Sequence, residues 1–360
     1  MARGAVATIH LGALRANLAC IRTLSGNSKV MAVVKADAYG HGLERCARAL
    51  TEADAFGVAS IADGLRLRAA GHRNRIVVLS GPDAASDLAE MRRLDLEAVI
   101  HHDSQVALLA AEKSAQRLRV WLKLDTGMHR LGFPAERARE LHAQLCAMPS
   151  VDPDIVLMTH FASSDEFDND LTARQIACFE SATRGLAGER ALSNSAGVLG
   201  WPAARNDWVR VGGLLYGLSV AEGRSGADFG FKPAMTLSTR LIAINRIKRG
   251  ERIGYGSTYE CPEEMNIGVA AIGYGDGYPR SAPSGTPVLI GAAQAAIVGR
   301  VSMDLITLDL RNAPNARVGD AVTLWGPDLP VETVARHAGT ISYELTCGVT
   351  RRVLFAEDGH

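Results

Sequence analysis

The chain has 360 residues, of which 47% are hydrophobic and 22% are charged, and its formal net charge is zero. This length predicts two domains with ample apolar material for a core, which excludes a disordered chain and a small disulfide-stabilised scaffold. Proteins that bind a phosphate backbone normally carry an excess of Lys and Arg, so we expect no nucleic-acid partner.

The N-terminus and the cysteines bear on the cellular compartment. No apolar stretch approaches the roughly 20 residues that a membrane span needs, and no continuous apolar segment precedes Arg15 as in a secretory signal. The six cysteines are scattered without a CxxC pair. These patterns predict reduced thiols in a cytoplasmic protein, with no membrane segment, disulfide framework or metal site.

The opening segment AVATIH predicts a strand that could belong to either domain. Short apolar runs then alternate with amphipathic stretches such as Leu43–Leu50, Ala62–Ala70 and Ser104–Ala115, which favours a parallel sheet covered by helices. The predicted strands are Val30–Val34, Phe56–Ala59, Ile76–Leu79, Ala98–Ile100, Val120–Leu124, Ile155–Thr159, the weaker Ala191–Leu192, and Val209–Val211. Eight strands in about 200 residues predict a (β/α)8 barrel. A doubly wound open sheet is the alternative, but the chain has no GxGxxG or GxxxxGK[ST] fingerprint.

Beyond residue 232 the pattern changes to alternating apolar runs separated by Gly- and Pro-rich turns. The predicted strands are Leu237–Ile244, Ile267–Ile272, Val288–Ile290, Ile297–Val301, Leu305–Leu310 and Val322–Trp325. We therefore predict a TIM-like α/β barrel over residues 1–232, followed by a mainly-β domain over residues 233–360. Residues 1–10 are the part of the first domain that could pair with the second.

Polar side chains follow the predicted barrel strands directly. They are Lys35, Lys123, Asp125, His160, Asn194, Ser195 and Arg210. Strand ends of a (β/α)8 barrel meet at one rim, where the chemistry of such enzymes takes place, so we expect these groups to form a site. Burial at a strand end lowers the pKa of an amine, which makes Lys35 a candidate nucleophile for a carbonyl compound.

At these residues the chain resembles the bacterial alanine racemases. MAVVKADAYGHG (31–42) is similar to their pyridoxal-phosphate attachment segment. Further similar segments are WLKLDTGMHRLG (121–132), THFASSDE (159–166), SNSAGVLGWP (193–202), DWVRVGGLLYG (207–217), GADFGFKPAMTL (226–237), RIGYGSTY (252–259), IGYGDGYPR (272–280), VGRVSMD (298–304) and SYELTC (342–347). So many ordered matches are far more specific than any single short motif.

The resemblance implies a two-base reaction with pyridoxal 5'-phosphate. Lys35 is implied to attach this cofactor and to exchange the proton of D-alanine, while Tyr255 exchanges that of L-alanine from the opposite face. His160 and Arg210 match the residues that help the tyrosine to ionise, and Arg210 also matches the partner of the pyridine nitrogen.

The family's cofactor-binding residues also have counterparts in this chain. Tyr39, Ser195, Tyr343 and the backbone of Gly212 and Gly213 are implied to hold the phosphate, and Asn194 is implied to lie beside the cofactor. Family members usually carry a larger aliphatic residue where this chain has Gly213, so packing at that position is expected to differ.

The resemblance also implies substrate contacts and a shared active site. Arg130 matches a residue that contacts the substrate carboxylate, and Lys123 matches a lysine that is carbamylated in several members. Met303, Asp304 and Tyr274 match residues that contact or narrow the substrate site. In the family, Tyr255, Tyr274 and Met303 reach the site from the other subunit of a head-to-tail homodimer.

Two other functions fit parts of the pattern. An amino-acid decarboxylase of similar architecture is disfavoured because the lysine segment differs and Ser302 stands where its catalytic cysteine would be expected. A pyridoxal-phosphate carrier of barrel-only type would leave the second domain without a purpose. The implied metabolic role is the supply of D-alanine for peptidoglycan or its catabolism, and the sequence does not separate the two.

Overall fold

The computed structural model describes residues 4–221 and 223–359, so Met1–Arg3, Glu222 and His360 of the two predicted domains lie outside the described residues. The elements of the first part of the chain are β1 (Val6–His10), α1 (Leu11–Ser25), β2 (Lys29–Val33), α2 (Lys35–Tyr39), α3 (Leu43–Ala49), β3 (Ala55–Val58), α4 (Ile61–Ala69), β4 (Arg75–Val78), α5 (Ala85–Arg93), β5 (Glu97–Ile100), α6 (Asp103–Ala111), β6 (Val120–Asp125), β7 (Phe133–Pro134), α7 (Ala138–Cys146), β8 (Val156–Met158), α8 (Leu171–Thr183), β9 (Arg190–Ala191), α9 (Ser195–Gly200) and β10 (Trp208–Val211).

Eight parallel strands close into a barrel in the order β5, β4, β3, β2, β10, β9, β8 and β6, with β5 pairing back to β6. The short strand β7 pairs with β6 outside this ring. Parallel neighbours need crossover connections, and helices supply most of them here. The predicted (β/α)8 barrel is confirmed, including the weak strand at Ala191.

The barrel interior is filled by apolar side chains from all eight strands. They are Met31, Ala55, Val77, Val99, Trp121, Val156, Met158, Ala191 and Trp208. At the amino-terminal end, the fully buried carboxylate of Glu97 accepts hydrogen bonds from Arg75 at 2.6 Å, Arg119 at 2.9 Å and the Trp121 indole at 2.7 Å. This end is therefore closed by packing, and the carboxyl ends of the strands remain for a site.

The second part of the chain forms a separate, mostly antiparallel sheet. Its elements are β11 (Met235–Ile247), β12 (Arg252–Ile253), β13 (Tyr259–Glu260), β14 (Met265–Ala270), β15 (Pro287–Ile290), β16 (Ala293–Ile297), β17 (Ile306–Asp309), β18 (Ala321–Trp325), α10 (Val331–Ala338), α11 (Ser342–Cys347) and β19 (Leu354–Asp358). Strands β14, β17, β16, β15, β18 and β11 close on themselves, because β11 pairs with β14 as well as with β18. The mainly-β second domain is confirmed as a fold class.

The opening strand lies in this second sheet. β1 pairs antiparallel with β11 and parallel with β19, so the two ends of the described chain lie side by side. The sequence left the assignment of this strand open. The proposed division at residue 232 stays a prediction, although the sheets change between β10 and β11.

One predicted strand is displaced. Ile297–Val301 was expected as a strand, but β16 ends at Ile297 and Gly299 has a φ of +75°, a left-handed conformation that turns the chain out of the sheet. Two short helices, α10 and α11, follow β18, where the sequence analysis predicted no particular element of the mainly-β domain. Within the described residues, no helix is long and apolar enough to cross a membrane.

Candidate active site

A cavity of about 1030 Å³ opens at the carboxyl ends of the barrel strands. Eleven of the predicted site residues line it: Lys35, Tyr39, Lys123, Arg130, His160, Asn194, Ser195, Arg210, Gly212, Gly213 and Tyr343. The first ten come from the barrel, while Tyr343 is carried by α11 of the second part of the chain. The structure therefore brings these eleven residues together in one cavity, while their roles stay a prediction; the sequence analysis assigned no structure to the segment that carries Tyr343.

Lys35 and Tyr39 stand at the two ends of α2, which is a left-handed helical turn. The φ angles of Ala36, Asp37, Ala38 and Tyr39 lie between +52° and +56°. Left-handed backbone costs residues with a Cβ roughly 1–2 kcal/mol each, so the turn stores about 4–8 kcal/mol. Because Lys35 and Tyr39 are one turn apart, both side chains reach the cavity.

The cavity has an excess of positive charge. Among the described residues of its lining, six are Lys or Arg and two carry a carboxylate. Burial and then the charge of Arg130 lower the pKa of Lys35. Burial and the charges of Arg210 and Arg130 lower the pKa of Lys123 to about 8. Such a concentration of cations favours an anionic occupant, and it increases the neutral fraction of both amines.

Arg210 influences the protonation state of His160 and also links several segments of the barrel rim through hydrogen bonds. Its guanidinium donates hydrogen bonds to the carbonyls of Thr159 at 2.6 Å and Leu192 at 3.1 Å, and also to that of Ala191. Nη2 lies 3.4 Å from Nδ1 of His160. Burial and then the charge of Arg210 lower the pKa of His160 well below its ordinary value, so the ring is neutral at neutral pH. Its proton then belongs on Nε2, because Nδ1 faces a donor.

Two tyrosine hydroxyls occupy the space above two consecutive glycines. A Cβ atom on Gly212 would lie 2.3 Å from Oη of Tyr39, and one on Gly213 would lie 2.3 Å from Oη of Tyr343. The Gly212 N–H donates to Oγ of Ser195 at 2.9 Å. Tyr343 therefore takes up the volume that an aliphatic side chain at position 213 would need. We call these five residues the glycine–tyrosine cradle.

The cradle has the donors that a phosphate group needs. Burial raises the pKa of Tyr39 to about 12 and raises that of Tyr343 as well, so both hydroxyls stay protonated and can donate. Hydroxyls and backbone N–H groups suit phosphate oxygens, and a glycine backbone allows close approach. The side chain of Asn194 caps α9 by accepting the Gly197 N–H at 2.9 Å. Its clearest role is to hold the helix turn that begins with Ser195.

Arg130 belongs to a loop that Asp125 shapes. A single carboxylate oxygen of Asp125 accepts the N–H groups of Gly127, Met128 and His129 at 2.9, 3.0 and 3.1 Å. These bonds lower the pKa of Asp125 although burial opposes them. The loop thereby holds Arg130 at the edge of the cavity.

Four predicted site residues lie elsewhere. Among the described residues that line the cavity, none is Tyr255, Tyr274, Met303 or Asp304. These residues belong to the second part of the chain, where Tyr255 is 74% exposed, Met303 53% and Tyr274 39%. One chain therefore presents the barrel part of the predicted site and leaves the other part on its surface.

Arg352 organises this exposed part, and the sequence analysis did not identify it. Its guanidinium lies 2.6 Å from the carboxylate of Asp304 and 3.1 Å from that of the buried Asp276. Two backbone hydrogen bonds, from Tyr274 to Ser302 and from Gly275 to Met303, join the same segments. No local sequence pattern marks Arg352, because it acts on segments 48 and 76 residues away along the chain.

Fold and cavity together define a class of protein: a barrel enzyme with a second β-domain and a cation-rich cavity at the carboxyl ends of its barrel strands. Comparison with known families shows to which family within this class the chain belongs. The model for the alanine racemase N-terminal domain matches residues 9–220, and the model for the C-terminal domain matches residues 234–356. The chain belongs to the alanine racemase family.

Individual relatives agree with this assignment over nearly the full length. The chain is 51% identical to the alanine racemase of Nitrosococcus oceani over 348 residues, which are 96% of this chain and 97% of that relative. The biosynthetic alanine racemase of Pseudomonas aeruginosa is 43% identical in sequence, with a TM-score of 0.96 and 99% of both chains covered. The Bartonella henselae alanine racemase with covalently bound pyridoxal phosphate shares the fold, with a TM-score of 0.88 at 24% identity.

Proposed function

We propose that this protein interconverts L-alanine and D-alanine with pyridoxal 5'-phosphate, and that Lys35 and Tyr255 are its two acid–base residues. The observation that carries the proposal is the position of Lys35 in a cation-rich cavity that also contains the glycine–tyrosine cradle. Alanine racemases about 50% identical to this chain support the choice of alanine.

The cavity fits the charges of the cofactor. Pyridoxal phosphate bound there would supply an electron-withdrawing ring that makes the α-hydrogen of alanine acidic. The cradle would bind the phosphate through its three hydroxyls and the N–H of Gly213, while the Gly212 N–H orients Oγ of Ser195. Arg210 would face the ring, and its firmly held proton disfavours transfer to a ring nitrogen. The lowered pKa of Lys35 leaves more of the amine neutral, which both attachment and proton acceptance require.

Tyr255 would act from the opposite face and from another subunit. It lies exposed on the second part of the chain, outside the cavity lining. We therefore propose a head-to-tail homodimer, in which Tyr255, Tyr274 and Met303 of one chain complete the cavity of the other. The N–H on Nε2 of His160 and the charge of Arg210 behind it would then stabilise the ionised phenol.

Arg130 would bind the substrate carboxylate, since a guanidinium forks onto two oxygens. Met303, Asp304 and Tyr274 would limit the space beside it to a small side chain, with Arg352 holding their segments. Serine differs from alanine by one hydroxyl, which a small pocket rejects poorly, so we expect slow turnover of serine.

Lys123 is proposed to be carbamylated. Its pKa of about 8 leaves roughly a tenth of the amine neutral at pH 7, far more than for a free lysine. The nitrogen then bonds to the carbon of CO2 and a proton is released, so a cation becomes an anion between Arg210 and Arg130. We expect alkylation under CO2, followed by peptide mass spectrometry, to show Lys123 carrying one CO2 as its alkyl ester. The variant Lys123→Arg serves as the control, and an equal addition to it would refute this modification.

Alanine in place of Gly212 is expected to weaken cofactor binding at least about tenfold, since its Cβ would lie 2.3 Å from Oη of Tyr39 and displace a phosphate donor. The measurement is titration of the apoprotein with pyridoxal phosphate. Gly12→Ala is the matched control, because a Cβ there meets nothing within 4 Å. Equal cofactor affinity in both variants would remove the cradle from the proposed site.

The proposed function is tested on the purified holoprotein. Borohydride reduction followed by peptide mapping should place the cofactor on Lys35. Either enantiomer of alanine should proceed to a racemic mixture without release of CO2. Release of CO2 would instead identify a decarboxylase, and turnover of neither enantiomer would contradict the proposal.

We also propose a cytoplasmic location, which fits the six free cysteines. The D-alanine would there serve peptidoglycan synthesis or be catabolised.

A further inference from the structure

The left-handed turn α2 needs support, because it strains four residues that are not glycine. Strained backbone persists only where the surrounding structure fixes it, and such places cluster at functional sites. Its own backbone contributes hydrogen bonds from Ala38 to Val34 at 2.9 Å and from Gly40 to Ala36 at 3.0 Å. A right-handed helix would offer equivalent bonds, so these alone do not select the left-handed form.

His41 supplies a contact that follows the shape of this turn. Its Nδ1 lies 3.0 Å from the carbonyl oxygen of Ala38 and 2.9 Å from that of Tyr39. Both oxygens are acceptors, so Nδ1 must carry the proton and donate to the pair. Burial lowers the pKa of His41 to about 4, so the ring is neutral and Nε2 is unprotonated. Nε2 is buried and has no hydrogen-bond partner among the described residues, which agrees with this tautomer.

The ring of His41 is also packed so that it cannot turn away. It is fully buried against Tyr216, with ring centroids 4.7 Å apart. Tyr216 in turn packs against Tyr39 at 4.9 Å. The Tyr216 hydroxyl donates to the carbonyl of Val33 at 3.0 Å, at the end of β2. Tyr216 thus contacts both β2, the strand before Lys35, and Tyr39, the residue that ends the turn. His41 packs against this same tyrosine.

The second support of the turn is exposed. Asp37 accepts the Leu43 N–H at 3.1 Å and pairs with Arg66 at 2.9 Å. About half of each charged side chain in that ion pair is exposed, and exposed pairs contribute little. Of these two side-chain supports, the buried imidazole therefore contributes more to holding the turn, beside the backbone hydrogen bonds from His41 to Ala38 at 3.0 Å and from Gly42 to Asp37 at 2.8 Å.

We propose that His41 is a positioning residue, whose Nδ1–H holds the carbonyls of Ala38 and Tyr39 in the left-handed turn and so presents Lys35 and Tyr39 to the cofactor. The cofactor part of this inference rests on the proposed function. The part about the turn concerns the protein alone.

The matched variants are His41→Asn and His41→Leu. Their new side chains are similar in size, but only that of asparagine has an N–H donor near the position of Nδ1. Hydrogen exchange of residues 34–42 is measured in the apoprotein, with residues 265–270 as the internal reference. We expect exchange about tenfold faster in His41→Leu and within about threefold of the original protein in His41→Asn. The affinity for pyridoxal phosphate should fall more in His41→Leu than in His41→Asn.

Two results would overturn the proposal. One is equal exchange of residues 34–42 in the original protein and in His41→Leu; the other is equal acceleration in both variants, which would mean that only the packing of the ring matters. If His41→Leu does not fold, histidine-selective ¹⁵N NMR of the original apoprotein decides instead. A proton on Nε2 contradicts the proposal and one on Nδ1 supports it. Because exchange and NMR need no cofactor, they give an answer on His41 even if Lys35 proves not to bind pyridoxal phosphate.

Discussion

Lys35→Ala is expected to lower alanine racemisation in both directions by at least about 10⁴-fold, because one side chain provides both covalent attachment and one of the two proton transfers. Neither neighbouring amine nor guanidinium can substitute, since Lys123 and Arg210 are held at other strand ends of the rim. The measurement is the initial rate from each enantiomer with cofactor in excess.

The control for this experiment is Lys113→Ala, which removes an exposed lysine outside the cavity. It should retain full activity. Addition of a small primary amine should restore part of the rate to Lys35→Ala but leave the control unchanged. Substantial activity of Lys35→Ala without added amine would exclude Lys35 as an acid–base residue.

Mixed dimers of Lys35→Ala and Tyr255→Phe are expected to recover about a quarter of the original activity, although each variant alone is nearly inactive. Random exchange places one chain of each kind in half of the dimers. In each such dimer one site combines an intact Lys35 with an intact Tyr255 of the partner subunit, and the other site lacks both. Intact sites therefore make up half of the sites in half of the dimers, which is one quarter of all sites.

This experiment separates a shared site from a site completed within one chain. The two variants are mixed, taken through mild denaturation and refolding, and assayed. The control is each variant treated alone, which should stay inactive. No recovery after verified subunit exchange would mean that the two residues act within the same chain, against the exposed position of Tyr255.

The barrel and its rim were predictable from periodicity and from residue type. Buried parallel strands read as continuous apolar runs, and Lys35, His160 and Arg210 stood out because each interrupts or ends such a run. The family motifs then pointed to residues of the second domain. The resemblance also implied that these residues act from the other subunit, and the structure adds that Tyr255 and Met303 are exposed and outside the cavity lining of their own chain.

The features that escaped prediction are those that depend on distant contacts. The segment ADAY contains no glycine, so nothing local announces four consecutive positive φ angles, and Tyr216, which packs against Tyr39 and His41, lies far away in the sequence. Arg352 likewise owes its role to carboxylates far away in sequence. Gly299 shows the opposite case, since a single residue in an apolar run was enough to end β16 early.

The parallel pairing of β1 with β19 joins two strands that are far apart in the sequence. Val6 faces Leu354 and His10 faces Asp358, so β1 gains this neighbour only after residues 354–358 have been synthesised. Until then one edge of β1 has no neighbouring strand from its own chain, and such edges promote association between nascent chains. The barrel strands are all synthesised by residue 211, whereas the pairing of β1 with β19 comes much later, which couples the integrity of β19 to the solubility of the whole chain.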